Sequence, residues 1–360
     1  MSRGKTAVLN QSEAGQSPVE AGGARCVLRV EDLIVDYPTR FGALHAVNKV
    51  SFTVGEGETL ALVGESGCGK STVAMSLLGL AEQNGGVTRG GRVAVAGEDI
   101  LARAPDKRAD MRGNVISLVF QEPMTAFNPL LTVGEQLKET LRAHSEGGHG
   151  ADHEEHAATL LARVGVPDPA RRLGQYPGEF SGGMLQRAMI AVAIANQPRL
   201  IVADEPVTAL DVTVQAQIID LFCELVSATG AGLVMVTHDL GIVAEIADRV
   251  VVMYAGRVVE SAPVECLFAD PRHPYTVALL SSRPRLGVSR SKERLFAIRG
   301  SADSALGIEE GCPFQPRCPI WQGRDRCLKE LPELLQIGDR RAVACHFSAS
   351  LSGGTEIHGH

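Results

Sequence analysis

Apolar residues along this chain fall into short β-branched runs broken by glycine and proline, with helical spacing between them. Val27, Leu28, Val30, Leu33, Ile34 and Val35 form the first run, ended by Asp36-Tyr37-Pro38. Ala46, Val50, Phe52 and Val54 form the second, closed by Gly55-Glu56-Gly57. Further runs follow at Leu60–Val63, Arg92–Ala96, Val115–Phe120, Leu200–Ala203 and Gly232–Val236. Their length and residue types predict strands. Val250–Tyr254 and Arg257–Glu260 predict a hairpin turning at Ala255-Gly256. Val73–Leu80, Asp106–Arg112, Ala188–Ala195 and Val212–Ala228 predict helices. From residue 124 to 180 the spacing is helical, with Val133, Leu137 and Leu141 on one stripe and Ala157, Leu160, Leu161 and Val164 on another. That block reads as a helical insertion with an exposed Gly/His-rich loop over Ser145–Asp152.

Between the strand at Leu60 and the helix at Val73 lies Gly64-Glu65-Ser66-Gly67-Cys68-Gly69-Lys70-Ser71-Thr72, the pattern G-x-x-x-x-G-K-S. In a strand–loop–helix context this is a phosphate-binding loop. Its glycines let backbone N–H groups close round an anion at a helix N-terminus. Lys70 can then reach the β- and γ-phosphates, and the Ser71 hydroxyl can ligate Mg²⁺. Leu200–Ala203 presents Asp204 at a strand tip, suited to hold Mg²⁺ through water, and Glu205 beside it can act as general base. Gln121 and His238 follow two other strands, where side chains face a ligand on a parallel sheet. Ser181-Gly182-Gly183 opens the helix leading to Ala195 and offers a second anion seat. Read singly, Gln121 is a strand-capping amide, Ser181 an ordinary helix cap and His238 a structural histidine. Tyr37 is an ordinary strand-end aromatic or, upstream of a phosphate loop, a platform for adenine.

Composition limits the options. The 360 residues carry 35 basic and 42 acidic side chains, net −7, and aromatics make up 4%. Neither a basic footprint nor stacking residues for nucleic acid stand out. No apolar run reaches the ~18–20 residues that cross a bilayer. Met1–Ala24 is polar and Gly/Ser-rich, so residues 1–24 are expected to be a disordered tail rather than a signal peptide. A cytosolic location is expected, where eight cysteines are not disulfide partners.

Taken in order, the phosphate loop, Gln121, Ser181-Gly182-Gly183, Asp204-Glu205, Asp211 and His238 resemble the ATP-binding subunit of an ABC transporter. The resemblance implies an α/β fold of the P-loop NTPase, RecA-like kind. Its core sheet is mostly parallel, and it carries an antiparallel β-subdomain, a helical subdomain at about 124–196 and a small Cys-rich C-terminal extension. The nucleotide-binding domain would span 25–262, the extension 263–348 and a flexible tail 349–360. ATP would contact Tyr37, Gly64, Ser66, Gly67, Gly69, Lys70, Ser71 and Thr72, with Mg²⁺ at Ser71, Gln121 and Asp204. Glu205, His238, Lys70 and Gln121 would carry catalysis. Ser181, Gly182, Gly183 and Asp211 would serve the nucleotide of an opposing subunit. Met184 stands where the usual signature has Gln and suits the peptide-importer branch. Leu185 stands where that branch often has Arg, so loss of a polar contact near the interface is expected.

The C-terminal part narrows the resemblance to oligopeptide/dipeptide importers. It rests on His273-Pro274-Tyr275-Thr276, Gly311-Cys312-Pro313-Phe314 and Pro316-Arg317-Cys318-Pro319. Cys312, Cys318, Cys327 and Cys345 are spaced C-x5-C-x8-C-x17-C. Four thiols in a short Pro-rich segment are a metal-site composition, open to a cluster, to zinc or to free thiols. The resemblance implies a [4Fe–4S] cluster, with Zn²⁺ as the alternative and His346 outside the ligand set. It also implies a second ATPase subunit (a heterodimer), two membrane permeases, an external solute-binding protein and a peripheral place on the cytoplasmic face of the membrane. Soluble ABC-type ATPases of translation or DNA repair, and regulatory nucleotide-binding subunits, are the other classes. One phosphate loop, no heptad run, and intact Lys70, Asp204, Glu205 and His238 weigh against them.

Overall fold

In the computed structural model the described residues are 25–40, 42–144, 152–208, 210–282, 298, 300, 308 and 310–351. The expected tail at 1–24, most of the expected loop at 145–152 and of the expected tail at 349–360, and Ala209 lie outside them; Asp152 instead starts a helix and Ser348–Leu351 forms a short 3-10 turn. The first half of the chain forms β1 (Cys26–Thr39), β2 (Gly42–Gly55), β3 (Thr59–Val63), α1 (Lys70–Leu77), β4 (Val87–Val95), β5 (Glu98–Asp99), α2 (Pro105–Met111) and β6 (Ile116–Val119). The insertion adds α3 (Pro123–Ala126), α4 (Val133–Ala143), α5 (Asp152–Arg163), α6 (Pro169–Arg172) and α7 (Gly182–Ile194). Then come β7 (Leu200–Asp204), α8 (Val212–Thr229), β8 (Gly232–Thr237), α9 (Leu240–Ile246), β9 (Arg249–Tyr254) and β10 (Arg257–Pro263). The last part holds α10 (Val264–Ala269), α11 (Pro274–Ser281), α12 (Asp325–Lys329), β11 (Leu335–Gly338) and β12 (Arg341–Val343).

Two sheets result. One is antiparallel, in the order β2-β1-β4-β5. The run expected to stop at Asp36-Tyr37-Pro38 instead continues to Thr39, pairing Asp36–Thr39 with Gly42–His45. Pairing of β1 with β4 ends at Asp36, so Pro38 needs no N–H on that side. The other sheet has the order β11-β12-β10-β9-β3-β8-β7-β6. Strands β9, β3, β8, β7 and β6 run parallel, and β10, β12 and β11 continue antiparallel at one end.

The parallel strands are continuous apolar runs because both faces are covered. Leu200, Val202, Val234 and Val236 pack with α1 and the antiparallel sheet. Their alternates Ile201, Ala203, Leu233 and Met235 pack with the helical insertion and α8. Helix α8 is long and apolar enough to cross a membrane by length and composition. Its Ile218, Ile219, Phe222 and Leu225 are buried in this core. Helix α4 is started by a capping box, Thr132 with Glu135, and packs on α5 and α7.

Register decides where the chemistry falls. Val63 lies opposite Thr237, Val236 opposite Asp204, and Ala203 opposite Val119. The loops leaving these strands therefore emerge along one carboxyl edge.

Buried ion pairs lock the far end of the sheet. Glu58, 8% exposed, accepts from Arg249 at 2.9 Å and from Arg340 at 3.0 Å, while Gly55 N–H donates to its other oxygen at 2.6 Å. Arg249 is 1% exposed, so removing Glu58 strands a desolvated cation. Glu58→Ala is expected to cost about 3–5 kcal/mol. Arg340→Ala, at a 35% exposed side chain, is expected to cost about 1 kcal/mol or less. Urea unfolding midpoints of the two variants check the contrast.

Candidate functional site

The phosphate loop bridges β3 and α1. Gly69 caps α1 at φ +102°, and a methyl group there would collide with the carbonyl of Ala46. With no side-chain cap, the first N–H groups of α1 are left for an anion. Lys70 is buried and folded back: its Nζ donates to the carbonyls of Gly64 (2.8 Å) and Glu65 (3.0 Å). Ser66 and Gly67 are exposed at the rim. Tyr37 is half-buried against the core and pairs with Leu44, two residues along β2 from Ala46.

Beside the loop, the Ser71 hydroxyl donates to Asp204 Oδ1 at 3.2 Å. Burial pushes the Asp204 carboxyl above the usual carboxylate range, with Glu205 adding to it and Ser71 and Lys70 opposing. A hydroxyl and a desolvated carboxylate are hard oxygen donors, so the pair fits Mg²⁺ by chemistry.

Glu205 follows at φ +48°, the left-handed region. Its N–H still bonds the Val236 carbonyl at 2.9 Å, which holds the residue to the sheet while the chain turns away. Its carboxylate is gripped from three sides. Gln121 Nε2 donates at 3.2 Å, the Thr208 hydroxyl donates at 3.1 Å, and His238 Nδ1 lies 3.2 Å from Oε1. The structure thus brings Gln121, Glu205 and His238 into one constellation. Gln121 meets Glu205, not the Ser71–Asp204 pair expected for Mg²⁺. Thr208 was missed, although it sits in the turn preceding Asp211.

Ser181-Gly182-Gly183 and Asp211 form a second cluster. Ser181 Oγ accepts from Met184 N–H at 3.3 Å and starts α7. Asp211 accepts from Thr213 and Val214 N–H groups and starts α8. Any Cβ on Gly183 would lie 2.7 Å from Val214 Cγ1, so the two helix starts touch only because residue 183 is glycine. Among the described residues no hydrogen bond joins this cluster to the phosphate loop. Leu185 is fully buried in the helical core, so the expected lost polar contact is replaced by packing.

The C-terminal extension meets the loop directly. Tyr275 accepts the Glu65 N–H at 2.8 Å, and Arg317 forks onto the Glu65 carboxylate at 2.6 and 2.9 Å. The rings of Tyr254, Tyr275 and Phe314 pack tilted or edge-on, with centroids 4.8–5.4 Å apart. His273 accepts the Tyr275 N–H at 3.0 Å, and burial depresses its pKa to about 3, so it stays neutral. These residues marked the family in the sequence, but their contacts have no local signal. A cavity of about 470 Å³ lies away from the phosphate loop, between β1–β2 and the extension.

Cys312, Cys318, Cys327 and Cys345 line one small cavity of about 20 Å³. Burial, reinforced by the neighbouring thiols, pushes Cys312 and Cys318 up to about 12. The donor set suits a thiophilic centre. Among the described residues, however, no three His, Cys, Asp or Glu side chains are grouped to hold a metal ion. The thiols are gathered but not arranged as a preformed single-ion site.

Fold and site define an ATPase of the P-loop class, with its loop, hydroxyl–acid pair and glutamate on one sheet edge. Comparison with known proteins narrows this. Residues 47–208 match the family model described as ABC transporter, and residues 259–327 match that of the oligopeptide/dipeptide transporter C-terminal region. The dipeptide transport ATP-binding protein DppD of Escherichia coli (strain K12) is 42% identical over 327 residues, 91% of this chain and 98% of that one. The oligopeptide transport ATP-binding protein OppD of Mycobacterium tuberculosis is 46% identical over 319 residues, 89% of this chain and 51% of that one. A solved dimer of the ATP-binding cassette MJ0796, in a post-hydrolysis state with ADP and Pi, matches with TM-score 0.59 and 26% identity. It covers 66% of this chain and 98% of that one. The chain belongs to the ATP-binding subunits of ABC transporters, in the oligopeptide/dipeptide branch.

Because burial raises Asp204, its ionised form weighs against the fold without a cation nearby. Asp204→Asn keeps an acceptor for Ser71 and removes that charge. It is expected to raise the melting temperature at neutral pH, by roughly 1–2 °C for each kcal/mol recovered. The gain is full above the raised pKa and fades as pH falls through it toward the ordinary Asp range, where both side chains are neutral. Thermal scans without nucleotide across pH 4–8 check it.

Proposed function

We propose that this protein is the ATP-hydrolysing subunit of an importer for di- and oligopeptides, seated on the cytoplasmic face of the membrane. The observation that carries the reading is the match of residues 259–327 to the oligopeptide/dipeptide transporter C-terminal region, in the same chain as an ABC transporter match over residues 47–208. Two such subunits, a heterodimer in this reading, sandwich ATP between the loop of one and the Ser181-Gly182-Gly183 helix start of the other. Two permeases dock near Gln121 and the helical insertion, and an external binding protein supplies the solute through them.

On binding, Lys70 exchanges the Gly64 and Glu65 carbonyls for β- and γ-phosphate oxygens. Tyr37 stacks on the adenine, and Ser66, Gly67, Gly69 and Thr72 frame the phosphates. Ser71 and Asp204 would hold Mg²⁺, which would supply positive charge against the phosphates. Glu205 takes the proton of the attacking water, oriented by Gln121, Thr208 and His238. The exposed start of α7 fits a seat for a phosphate on another chain, with Asp211 beside it.

Glu205→Gln is expected to keep ATP affinity and to lower hydrolysis about 10²–10⁴-fold. In cells lacking the wild-type chain, that variant should fail to restore uptake of a labelled dipeptide. Near-normal turnover removes Glu205 from the base role. Restored uptake without hydrolysis, or no peptide-uptake defect in the deletion, overturns the importer reading.

The four cysteines are proposed as the seat of a [4Fe–4S] cluster, or of Zn²⁺, on the strength of their shared cavity and donor chemistry. Protein purified without oxygen is expected to show visible absorption with matching iron and sulfide, lost in Cys318→Ala. A folded, colourless and metal-free preparation sinks the proposal.

A further inference from the structure

One residue of the phosphate loop has every polar group engaged. The Glu65 carboxylate receives both Arg317 nitrogens, its N–H goes to the Tyr275 hydroxyl, and its carbonyl receives Lys70 Nζ at 3.0 Å. The carboxylate and N–H contacts come from the C-terminal extension; the carbonyl is shared by the Cys68 N–H, at 3.3 Å, and the lysine that must meet the phosphates. The fork on Glu65 is the planar, charge-assisted geometry that fixes orientation as well as distance.

Neither partner from the extension is loose. The Arg317 side chain is 3% exposed and lies 5.8 Å over the Tyr254 ring, with the Tyr254 hydroxyl 3.4 Å from Nη1. Tyr275 is buried, and its ring packs on Tyr254 and Phe314. The turn carrying Arg317 is closed by Gln315 N–H to the Cys312 carbonyl (2.9 Å) and Cys318 N–H to the Gln315 carbonyl (3.2 Å). A rigid strut therefore runs from the cysteine-bearing turn to the loop. Glu65 is its end point, and Lys70 leans on Glu65.

We propose that Arg317 and Tyr275 are positioning residues of the ATP site: they hold Glu65, and through it set how the loop and Lys70 present themselves to the phosphates. A misplacement of about 1 Å in such a cradle is costly, because the binding groups must converge on one anion. The C-terminal extension thereby becomes a determinant of nucleotide affinity. The proposal needs only the ATP site and is independent of which solute is carried.

The test is steady-state ATPase kinetics of the full chain. Arg317→Gln is expected to raise KM for ATP about tenfold while kcat falls less than about twofold. Glu65→Gln should do the same, and the double variant should be no worse than either, because both remove one contact. Arg317→Lys should recover only part of the loss, since it cannot fork. Tyr275→Phe removes one oxygen, keeps the ring packing, and should raise KM about threefold. If Arg317→Gln does not fold, Glu65→Gln and Tyr275→Phe carry the test. Unchanged KM in these variants, additive losses in the double variant, or a loss confined to kcat overturns the proposal.

Discussion

The reactive side chains hang from one constraint, the common level at which the parallel strands end. Because Val63 lies opposite Thr237 and Asp204 opposite Val236, one residue earlier on β8, the phosphate loop, His238 and Glu205 leave β3, β8 and β7 at nearly one level. The arrangement costs free energy. Asp204 is buried as an acid next to another acid, and Glu205 holds a left-handed backbone, worth of order 1 kcal/mol or more. Both costs fall where charge is to be handled. Ser71 partly offsets the first, and the three donors round the Glu205 carboxylate fix its direction.

Much of the fold was legible because both sheet faces are covered. Leu200–Ala203 and Gly232–Val236 read as unbroken apolar runs for that reason, and the runs sit within the observed strands. Pro38 misled, because a strand paired on one side tolerates a missing N–H. At the site, residues next to strand ends were legible one by one. Their meeting was not: Gln121 reaches Glu205 across 84 positions, and nothing local marks Thr208 as a third donor. Leu185 shows the limit of reading by family position. A substitution that looked like a lost polar contact is a core residue with a buried apolar side chain.

The extension is joined to the nucleotide domain more intimately than a Cys-rich appendage suggests. Its β12 pairs with β10, so the main sheet is completed by residues from the end of the chain. Three acids of the nucleotide domain receive three of its arginines. Glu58 takes Arg340, Glu260 takes Arg341, and Glu65 takes Arg317. Glu260 is wholly buried and raised by that burial, and it is answered by the N–H groups of Arg272 and His273 as well as by Arg341. The Arg317 contact spans 252 positions, beyond any sequence pattern. The first two pairs lock the sheet end, while the third touches the catalytic loop.

The phosphate loop and the start of α7, the two phosphate seats proposed for this chain, are in different states of satisfaction. At the loop, Lys70 is answered by two backbone carbonyls, so its charge is held in reserve. Taking it up on a phosphate exchanges neutral acceptors for charged ones, which is favourable and local. At the start of α7, Ser181 satisfies the Met184 N–H and leaves the N–H groups of Gly182 and Gly183 to whatever approaches from outside. Asp211 beside it caps α8 through one carboxylate oxygen, Oδ1, which accepts from Thr213 and Val214. A helix start left in this condition at an exposed serine and glycine has the chemistry of an anion seat, the role proposed for it above. Among the described residues no hydrogen bond ties it to the chain's own phosphate loop. In the dimeric reading each chain carries half of two sites, and ATP supplies the charge that both halves lack.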